Sequence, residues 1–346
     1  MVLRVKWWYS LVHIERTPLN TTSQHTDSKV LITGAGGFVG QALWKEMLHQ
    51  GWQIRGALHR ADHWVAGSES LIVGNIDGET DWAETLCDID VVVHLAARVH
   101  VMKDSVADPL AEFLKVNLQG TANLAQQAAQ AGVKRLVYVS SVKVNGGRTA
   151  DLLSFTESDP ADPQDPYGVS KWQAEQALQR IAEKTGLEIV IVRAPLVYGS
   201  EVKGNFIKLL AAIDSGVPLP LAGANNLRSL VYVGNLVDAL IACATQPAAA
   251  GQTYLISDGE DISMASLVEK IAAALGRHNR SFYFPPALLR AGATLLGRAE
   301  QVDRLFGSLR ISDKKIRSDL AWSPPYTLEQ GLYETAEWYR AQRNPS

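Results

Sequence analysis

Cysteine is scarce in this sequence. The 346 residues include two cysteines, Cys87 and Cys243, which lie far apart, each inside an apolar stretch. This spacing argues against a disulfide framework, and we expect two buried thiols in a reducing compartment, the cytoplasm. The eight histidines show no spacing with cysteines or carboxylates that is typical of metal ligands, so we expect no metal.

Charge of one sign is not concentrated anywhere in the chain. The formal net charge is −3, and the sequence has no long basic run. Nucleic-acid binding normally depends on clustered lysines and arginines. We therefore expect a small molecule as the partner and no nucleic acid.

Long apolar runs are also missing. Residues 6–14 (KWWYSLVHI) are interrupted by Ser10 and His13, are shorter than a membrane span, and lack a small-residue cleavage site. We expect residues 1–27 to form a disordered or loosely docked extension, with a membrane-surface anchor as the alternative. The apolar run at 285–297 contains Arg290 and has the length of a packed helix.

Strand and helix patterns alternate from residue 29 onward, which predicts an α/β fold with a Rossmann-type doubly wound parallel sheet. The predicted helices, at 38–50, 109–130 and 167–184, are each followed by a glycine that ends the helix. The predicted strands are apolar, β-branched runs at 29–33, 53–58, 70–73, 90–95, 135–139 and 188–192.

The alternation becomes less regular after residue 194, where prolines separate shorter elements. We predict a nucleotide-binding domain at 28–194 and a smaller substrate lobe at 195–346. A strand-like and a helix-like run predict a return to the sheet at about 228–246. The lobes are therefore expected to interleave within one large or two closely integrated domains.

A glycine-rich turn joins the first predicted strand to the first helix. Residues 30–40 (VLITGAGGFVG) have the spacing G-x-x-G-x-x-G. Glycines permit a tight turn and let the backbone approach a pyrophosphate, and the helix N-terminus offers free N–H groups to that anion. The predicted dinucleotide-binding residues of this turn are Gly34, Gly36, Gly37, Phe38, Val39 and Gly40.

The end of the second predicted strand bears on which dinucleotide binds. An NAD site normally offers an acidic residue there to the ribose hydroxyls, whereas here the strand is followed by Arg60. Arg60 suits the 2′-phosphate of NADP, which is slightly favoured, while Asp62 leaves NAD open. Asn75 and Ile76, after the third strand, are predicted to flank the adenine.

Tyr167 and Lys171 are the candidate chemical groups. Because they lie four residues apart on a predicted helix, the phenol and the ammonium share one face. A nearby cation lowers the pKa of a phenol from about 10 towards working pH, which makes tyrosine a usable acid or base. Together with the glycine-rich turn, this pair predicts hydride transfer with proton exchange at a substrate oxygen.

Three motifs in this order resemble those of the extended short-chain dehydrogenases/reductases that modify nucleotide sugars. They are the glycine-rich turn, Ser140-Ser141 after the fifth strand, and Tyr167 with Lys171, and the resemblance runs from residue 29 almost to the C-terminus. Residues 137–146 (VYVSSVKVNG) and 193–199 (RAPLVYG) are most similar to the UDP-glucose 4-epimerase-like branch. That branch includes 4-keto reductases that form UDP-N-acetylquinovosamine for O-antigen.

The resemblance implies a role for each matching residue. Tyr167 would donate or accept the proton at the sugar oxygen, Ser141 would hydrogen-bond that oxygen, and Lys171 would bind the nicotinamide ribose and tune Tyr167. Asn117 would steady the active-site helix, whereas His94 is expected to be packed and Ser140 to face backbone. The remaining implied contacts are Leu95, Ala96 and Ala97 to the cofactor, and Asn205, Leu221, Arg228 and Arg304 to the UDP-sugar.

Two reactions and one non-catalytic role are compatible with this resemblance. An epimerase retains NAD, whereas a reductase takes fresh NAD(P)H in every cycle. Leu196 stands where epimerases of this branch usually carry a substrate-binding asparagine, and the second strand lacks a terminal acid. Both departures favour reduction of a UDP-4-keto-6-deoxy-N-acetylhexosamine over 4-epimerisation of UDP-glucose or UDP-N-acetylglucosamine.

The third possibility is a dinucleotide sensor or scaffold, which would have no need of Ser141, Tyr167 and Lys171. The resemblance further implies a homodimer built on the predicted helices at 109–130 and 167–184.

Overall fold

Ten strands form two sheets in the computed structural model of the chain, which describes residues 28–60, 69–99, 108–150, 153–295 and 305–343. The predictions for residues 1–27, for Asp62 and for Arg304 lie outside the described residues. In chain order the strands are β1 (Lys29–Thr33), β2 (Gln53–Leu58), β3 (Glu69–Ile72), β4 (Val91–His94), β5 (Arg135–Ser141), β6 (Glu188–Ala194), β7 (Leu196–Tyr198), β8 (Leu227–Tyr232), β9 (Thr253–Leu255) and β10 (Asp261–Ser263).

The larger sheet is parallel and has seven strands in the order β3-β2-β1-β4-β5-β6-β9. The chain winds outward from β1 in both directions, so the strand order reverses between β1 and β4. This arrangement confirms the predicted doubly wound Rossmann-type sheet. Such a reversal leaves a crevice at the carboxyl ends of the two strands, where open α/β sheets bind their ligands.

The three predicted helices are present and end at their glycines. The predicted helix at 109–130 is continuous but contains a π-helical segment, Leu114–Gly120. The described helices are α1 (Phe38–His49), α2 (Ala83–Leu86), α3 (Pro109–Phe113), α4 (Thr121–Gln130), α5 (Pro166–Thr185), α6 (Asn205–Asp214), α7 (Val233–Thr245), α8 (Met264–Ala274), α9 (Pro286–Leu295), α10 (Lys314–Leu320) and α11 (Leu328–Arg343).

Both faces of the large sheet are covered, because successive side chains of a strand point to opposite sides. Val30 and Ile32 of β1 belong to the core cluster that includes buried residues of α1 and α7. Leu31, between them, belongs to the cluster that includes buried residues of α4 and α5. The uninterrupted apolar runs of the sequence thus correspond to strands that are buried on both sides.

The predicted return to the sheet at 228–246 is found only in part. The helix of this segment, α7, contacts α1 and the strands β4, β5 and β6. Its strand, β8, instead pairs with β7 and β10 in a separate three-stranded sheet. The strand that joins the large sheet is β9, which pairs with β6 and was not predicted, because three residues carry no readable alternation.

Two expectations about burial are wrong. Cys87 is exposed, and Cys243 alone is buried, where burial raises the pKa of its thiol to about 12. The apolar run at 285–297 does form a helix, α9, but that helix is not packed on all sides, since Leu288 is 59% exposed.

Within the described residues, no helix is long and apolar enough to cross a membrane. The described histidine, cysteine and acidic side chains likewise form no group that could hold a metal ion.

Candidate active site

The glycine-rich turn packs too closely for side chains at its key positions. Gly34 has a φ of +68°, and a Cβ built there would lie 2.8 Å from the amide nitrogen of Ala96. A Cβ at Gly40 would overlap the carbonyl oxygen of Gly34. The turn closes with a 2.9 Å hydrogen bond that the Gly37 amide donates to the Gly34 carbonyl. Bare backbone therefore lines the start of α1, as the approach of a pyrophosphate requires.

The residues after β4 form the other wall of the crevice. The Ala96 amide donates to the Thr33 hydroxyl over 3.3 Å, which holds the two carboxyl ends together. His94 is buried, with its ring nitrogens 2.6 Å from the hydroxyl oxygen of Thr33 and 2.9 Å from that of Thr121. Burial, with the charge of Lys171 as a smaller cause, lowers the pKa of His94 to about 3. His94 is thus a neutral packing residue, as predicted.

The residues predicted to bind the adenosine end lie at the surface. Arg60 is exposed just after β2. Asn75 is also exposed, and its side-chain oxygen lies 2.8 Å from Nε2 of His59. Ile76 is half-buried against Gly120, where a built Cβ would lie 2.7 Å from Cγ2 of Ile76. Arg60 and Asn75 therefore lie beyond the ends of neighbouring strands, with their side chains accessible.

The first turn of α5 carries Tyr167 and packs directly on the segment after β5. Asp165 caps the helix by accepting a 2.8 Å hydrogen bond from the Gly168 amide. A Cβ at Gly168 would lie 2.8 Å from the carbonyl oxygen of Lys143. This close approach brings Tyr167 to the carboxyl end of β5, which is Ser141. The hydroxyl of Ser141 accepts a 3.3 Å hydrogen bond from the Lys143 amide.

Lys171 is buried behind Tyr167 and only 2% exposed. Its Nζ donates to the Val139 carbonyl over 2.9 Å and lies 5.9 Å from the ring centre of Tyr167. Burial lowers the pKa of Lys171 to about 7, although the charge of Glu175 acts in the opposite direction. The expected pairing of Tyr167 and Lys171 on one helix face is present.

The expected acidity of Tyr167 is not present in the chain by itself. Burial first, and the charge of Asp165 second, raise the pKa of Tyr167 above its ordinary value. The prediction that Lys171 lowers this pKa is wrong, because desolvation disfavours the phenolate and burial also lowers the pKa of Lys171.

Asn117 joins three parts of the site from the π-helical segment. Its side chain accepts from the Arg98 amide over 2.8 Å and donates to the Arg98 carbonyl over 3.0 Å and to Oγ of Ser170 over 2.9 Å. Ser170 in turn donates to the Tyr167 carbonyl over 2.8 Å. Asn117 is 1% exposed and anchors α5, which is the arrangement that the resemblance implied.

Ser140, which was expected to face backbone, is buried, and its hydroxyl has no hydrogen-bond partner among the described residues.

A cavity of about 940 Å³ opens beside this site. Its lining includes Lys143, Asp165 and Arg228, and burial lowers the pKa of the Arg228 guanidinium. The predicted substrate residues Asn205 and Leu221 do not line this cavity: Asn205 is exposed at the start of α6, and Leu221 is buried in the core.

Lys143 and Arg148 also line this cavity, and neither was predicted as a site residue. The available signal was their place in the run that directly follows Ser141.

The crevice fits a dinucleotide. Its floor is bare backbone at Gly34, Gly37 and Gly40, the first turn of α1 begins there, and Gly37 can place no side chain over that turn. Tyr167 and Lys171 lie at the carboxyl end of β5, two strands away from the turn. These features are those of a dinucleotide-binding enzyme with a tyrosine–lysine pair beside the crevice.

Comparison with known proteins identifies the family. Residues 30–257 match the model of the NAD dependent epimerase/dehydratase family, which is more than half of the chain. The chain therefore belongs to this family, and it is an enzyme with the extended short-chain dehydrogenase/reductase fold.

Named relatives cover nearly the full length. A UDP-glucose 4-epimerase of Vibrio cholerae is 39% identical over 328 residues, or 94% of this chain and 99% of the relative. An N-acetyl-alpha-D-glucosaminyl-diphospho-ditrans,octacis-undecaprenol 4-epimerase of Escherichia coli O157:H7 is 28% identical, over 90% of this chain and 95% of that protein. The crystal structure of a UDP-glucose 4-epimerase with UDP-glucose from Thermotoga maritima has a TM-score of 0.76 at 21% identity, covering 91% of this chain and 100% of that one, which shows the shared fold.

Proposed function

We propose that this enzyme moves a hydride to and from C4 of a UDP-linked sugar, with a nicotinamide dinucleotide as its cofactor. The observation that carries the proposal is the position of Ser141, Tyr167 and Lys171 at the carboxyl end of β5. There they lie beside the crevice where the strand order reverses, and their neighbours Lys143 and Asp165 line the 940 Å³ cavity. The substrate sugar would occupy that cavity.

The side chains handle the proton of the reaction. Oxidation at C4 removes a hydride from carbon and a proton from the hydroxyl, and reduction returns both. A nicotinamide dinucleotide would supply the hydride chemistry when bound, and Tyr167 would take or give the proton. Ser141 would hydrogen-bond the same oxygen, and protonated Lys171 would stabilise the phenolate. General acid–base catalysis of this kind contributes about 10²–10⁴-fold to the rate.

Among the reactions that use this chemistry, we place 4-epimerisation first. The likeness to the Vibrio cholerae 4-epimerase extends through nearly all of both chains. The sequence-based preference for a 4-keto reductase depends on two positions, the missing acid after β2 and Leu196, which is 50% exposed. Reduction of a UDP-4-keto-6-deoxy-N-acetylhexosamine is therefore the second candidate.

The cofactor proposal follows the choice of reaction. We propose retained NAD for epimerisation, in line with the description of the family as NAD dependent. The exposed Arg60 after β2 favours NADP, which suits the reductase alternative. Binding of NAD and of NADP to the wild type and to Arg60→Ala tests this point: loss of NADP affinity alone in the variant would favour the reductase.

A product assay separates the two reactions. The purified enzyme is incubated with UDP-glucose or UDP-N-acetylglucosamine and NAD, and in parallel with the 4-keto sugar and NADPH, and products are read by NMR. A galacto product formed without added reductant supports epimerisation. If the enzyme consumes NADPH with the 4-keto sugar and forms no product in the other incubation, the reductase becomes the first candidate.

Tyr167→Phe tests whether the site is catalytic at all. The variant keeps the ring and loses the hydroxyl, so we expect turnover to fall at least about 10²-fold while dinucleotide binding is retained. A dinucleotide sensor or scaffold, the remaining alternative, would show no loss that depends on this hydroxyl. We further propose a cytoplasmic homodimer, for which light scattering of the purified chain measures the oligomeric state.

A further inference from the structure

Lys143 is a second lysine at the proposed acid–base tyrosine. Its Nζ lies 5.6 Å from the ring centre of Tyr167, about as close as Nζ of Lys171 at 5.9 Å. Its side chain is 37% exposed, lines the large cavity, and forms an ion pair with the Asp165 carboxylate. The two lysines thus differ in surroundings. Lys171 is buried and donates to a backbone carbonyl, whereas Lys143 pairs with a carboxylate at the cavity wall.

The backbone holds Lys143 firmly in this position. Its amide donates to the Ser141 hydroxyl over 3.3 Å, and its carbonyl lies against the first turn of α5 at Gly168. Asp165 is equally constrained, because one of its oxygens caps α5 and the other meets Lys143. The ion pair is therefore a built part of the site.

Asp165 by itself opposes the proposed chemistry of Tyr167. A carboxylate beside a phenol disfavours the phenolate, and the charge of Asp165 acts on Tyr167 in this direction. The other groups that face the phenol are Lys171 of α5, the buried Tyr138 of β5, and the apolar ring of Phe113 on α3. Lys143, in contrast to these groups, forms an ion pair with the Asp165 carboxylate.

We propose that Lys143 is a positioning residue that offsets the charge of Asp165 at Tyr167 and thereby sets the pH range in which Tyr167 exchanges a proton with the sugar. The effect of Lys143 on catalysis rests on the proposed function. Its effect on the ionisation of Tyr167 does not, and can be measured without turnover.

The test compares pH profiles of kcat for conversion of the UDP-sugar. In Lys143→Met the carboxylate of Asp165 loses its ion pair with Lys143, so the limb on which activity rises with pH should move upward by about one unit. Asp165→Asn, which keeps an oxygen to cap α5, should move the same limb downward. The double variant should return close to the wild type, and Lys143→Arg should preserve the wild-type profile.

Lys315→Met is the matched control. Lys315 also lies over a tyrosine ring, 4.3 Å from the centre of Tyr254, and pairs with Asp319 over 3.1 Å, but it does not line the cavity. Its removal should leave the profile unchanged. A purely structural role of Lys143 would change stability or KM and not the position of the limb.

A spectroscopic titration separates failure of this inference from failure of the proposed function. Phenolate absorbance is followed with pH, and the signal of Tyr167 is obtained by subtracting the curve of Tyr167→Phe, with and without Lys143→Met. An upward shift of this signal supports the electrostatic role even if the enzyme converts no UDP-sugar. The inference is overturned if Lys143→Met moves neither the titration nor the limb.

Discussion

At the scale of single residues, burial decides the charge state of the two groups that carry the proposed chemistry. It lowers the pKa of Lys171 to about 7 and raises that of Tyr167, so both are shifted towards their neutral forms. A charged ligand bound beside them would change this balance, because neighbouring charges also shift a pKa.

The lowered pKa of Lys171 makes stability depend on pH. Its ordinary value is 10.5, so between about 7 and that value the unfolded chain binds one more proton than the folded chain. The wild type should therefore gain stability relative to Lys171→Met as the pH rises through this window, by up to about 1.4 kcal/mol per unit. Urea unfolding of both proteins at several pH values measures the difference. A difference that stays constant across the window would contradict the assignment.

At the scale of elements, the start of α5 is positioned by contact with the segment after β5. The helix itself is readable from sequence, because Asp165 and Pro166 begin it and Gly186, with a φ of 77°, ends it. The contact at Gly168 is a tertiary contact, which the sequence does not predict. A Cβ added there would meet the carbonyl oxygen of Lys143 and would lie 3.2 Å from Cβ of Pro163. Gly168 is thus a packing glycine within a helix.

Gly168→Ala should displace the first turn of α5 and Tyr167 with it. We expect kcat/KM to fall about tenfold to hundredfold, because small displacements of a reacting group carry such losses, with stability lower by about 1–3 kcal/mol. Gly292→Ala on α9 is the control, since its added Cβ meets nothing within 4 Å. It should leave activity unchanged and stability equal or slightly higher. Equal behaviour of the two variants would show that the close approach is unimportant.

At the scale of the whole molecule, Asp258 joins the two sheets. It lies shortly after β9 and accepts hydrogen bonds from the Tyr198 hydroxyl over 2.8 Å, the Tyr232 amide over 2.7 Å and Nδ2 of Asn235 over 2.7 Å. These donors belong to β7, β8 and α7. One buried carboxyl group therefore links the segment after β9 to two strands of the small sheet and to α7, and burial raises its pKa.

The two obvious substitutions of Asp258 should differ sharply. Asp258→Ala removes the acceptor of three buried hydrogen bonds and should lower the free energy of unfolding by about 2–4 kcal/mol. The Tyr198 hydroxyl and Nδ2 of Asn235 keep their second acceptors, the carbonyls of Leu328 and Tyr326, whereas the Tyr232 amide loses its acceptor. Asp258→Asn keeps the oxygen that serves Tyr232 and Asn235 and presents its amide to the Tyr198 hydroxyl, so its cost should be smaller. Denaturant unfolding of both variants measures the contrast. Equal losses would indicate that the charge of Asp258, and not its hydrogen bonds, matters.

The sequence by itself determined what depends on neighbouring residues: the strand, turn and helix at residues 29–49, the glycines that end helices, and the shared face of Tyr167 and Lys171. Periodicity and backbone preference act over a few residues, so these features can be read directly. Only the tertiary structure decided that β9 completes the sheet, that Asp258 bonds to β7, β8 and α7, and that Lys143 and Asp165 lie against Tyr167. It also decided the pKa directions, because desolvation and ion pairing depend on which distant segments are packed together.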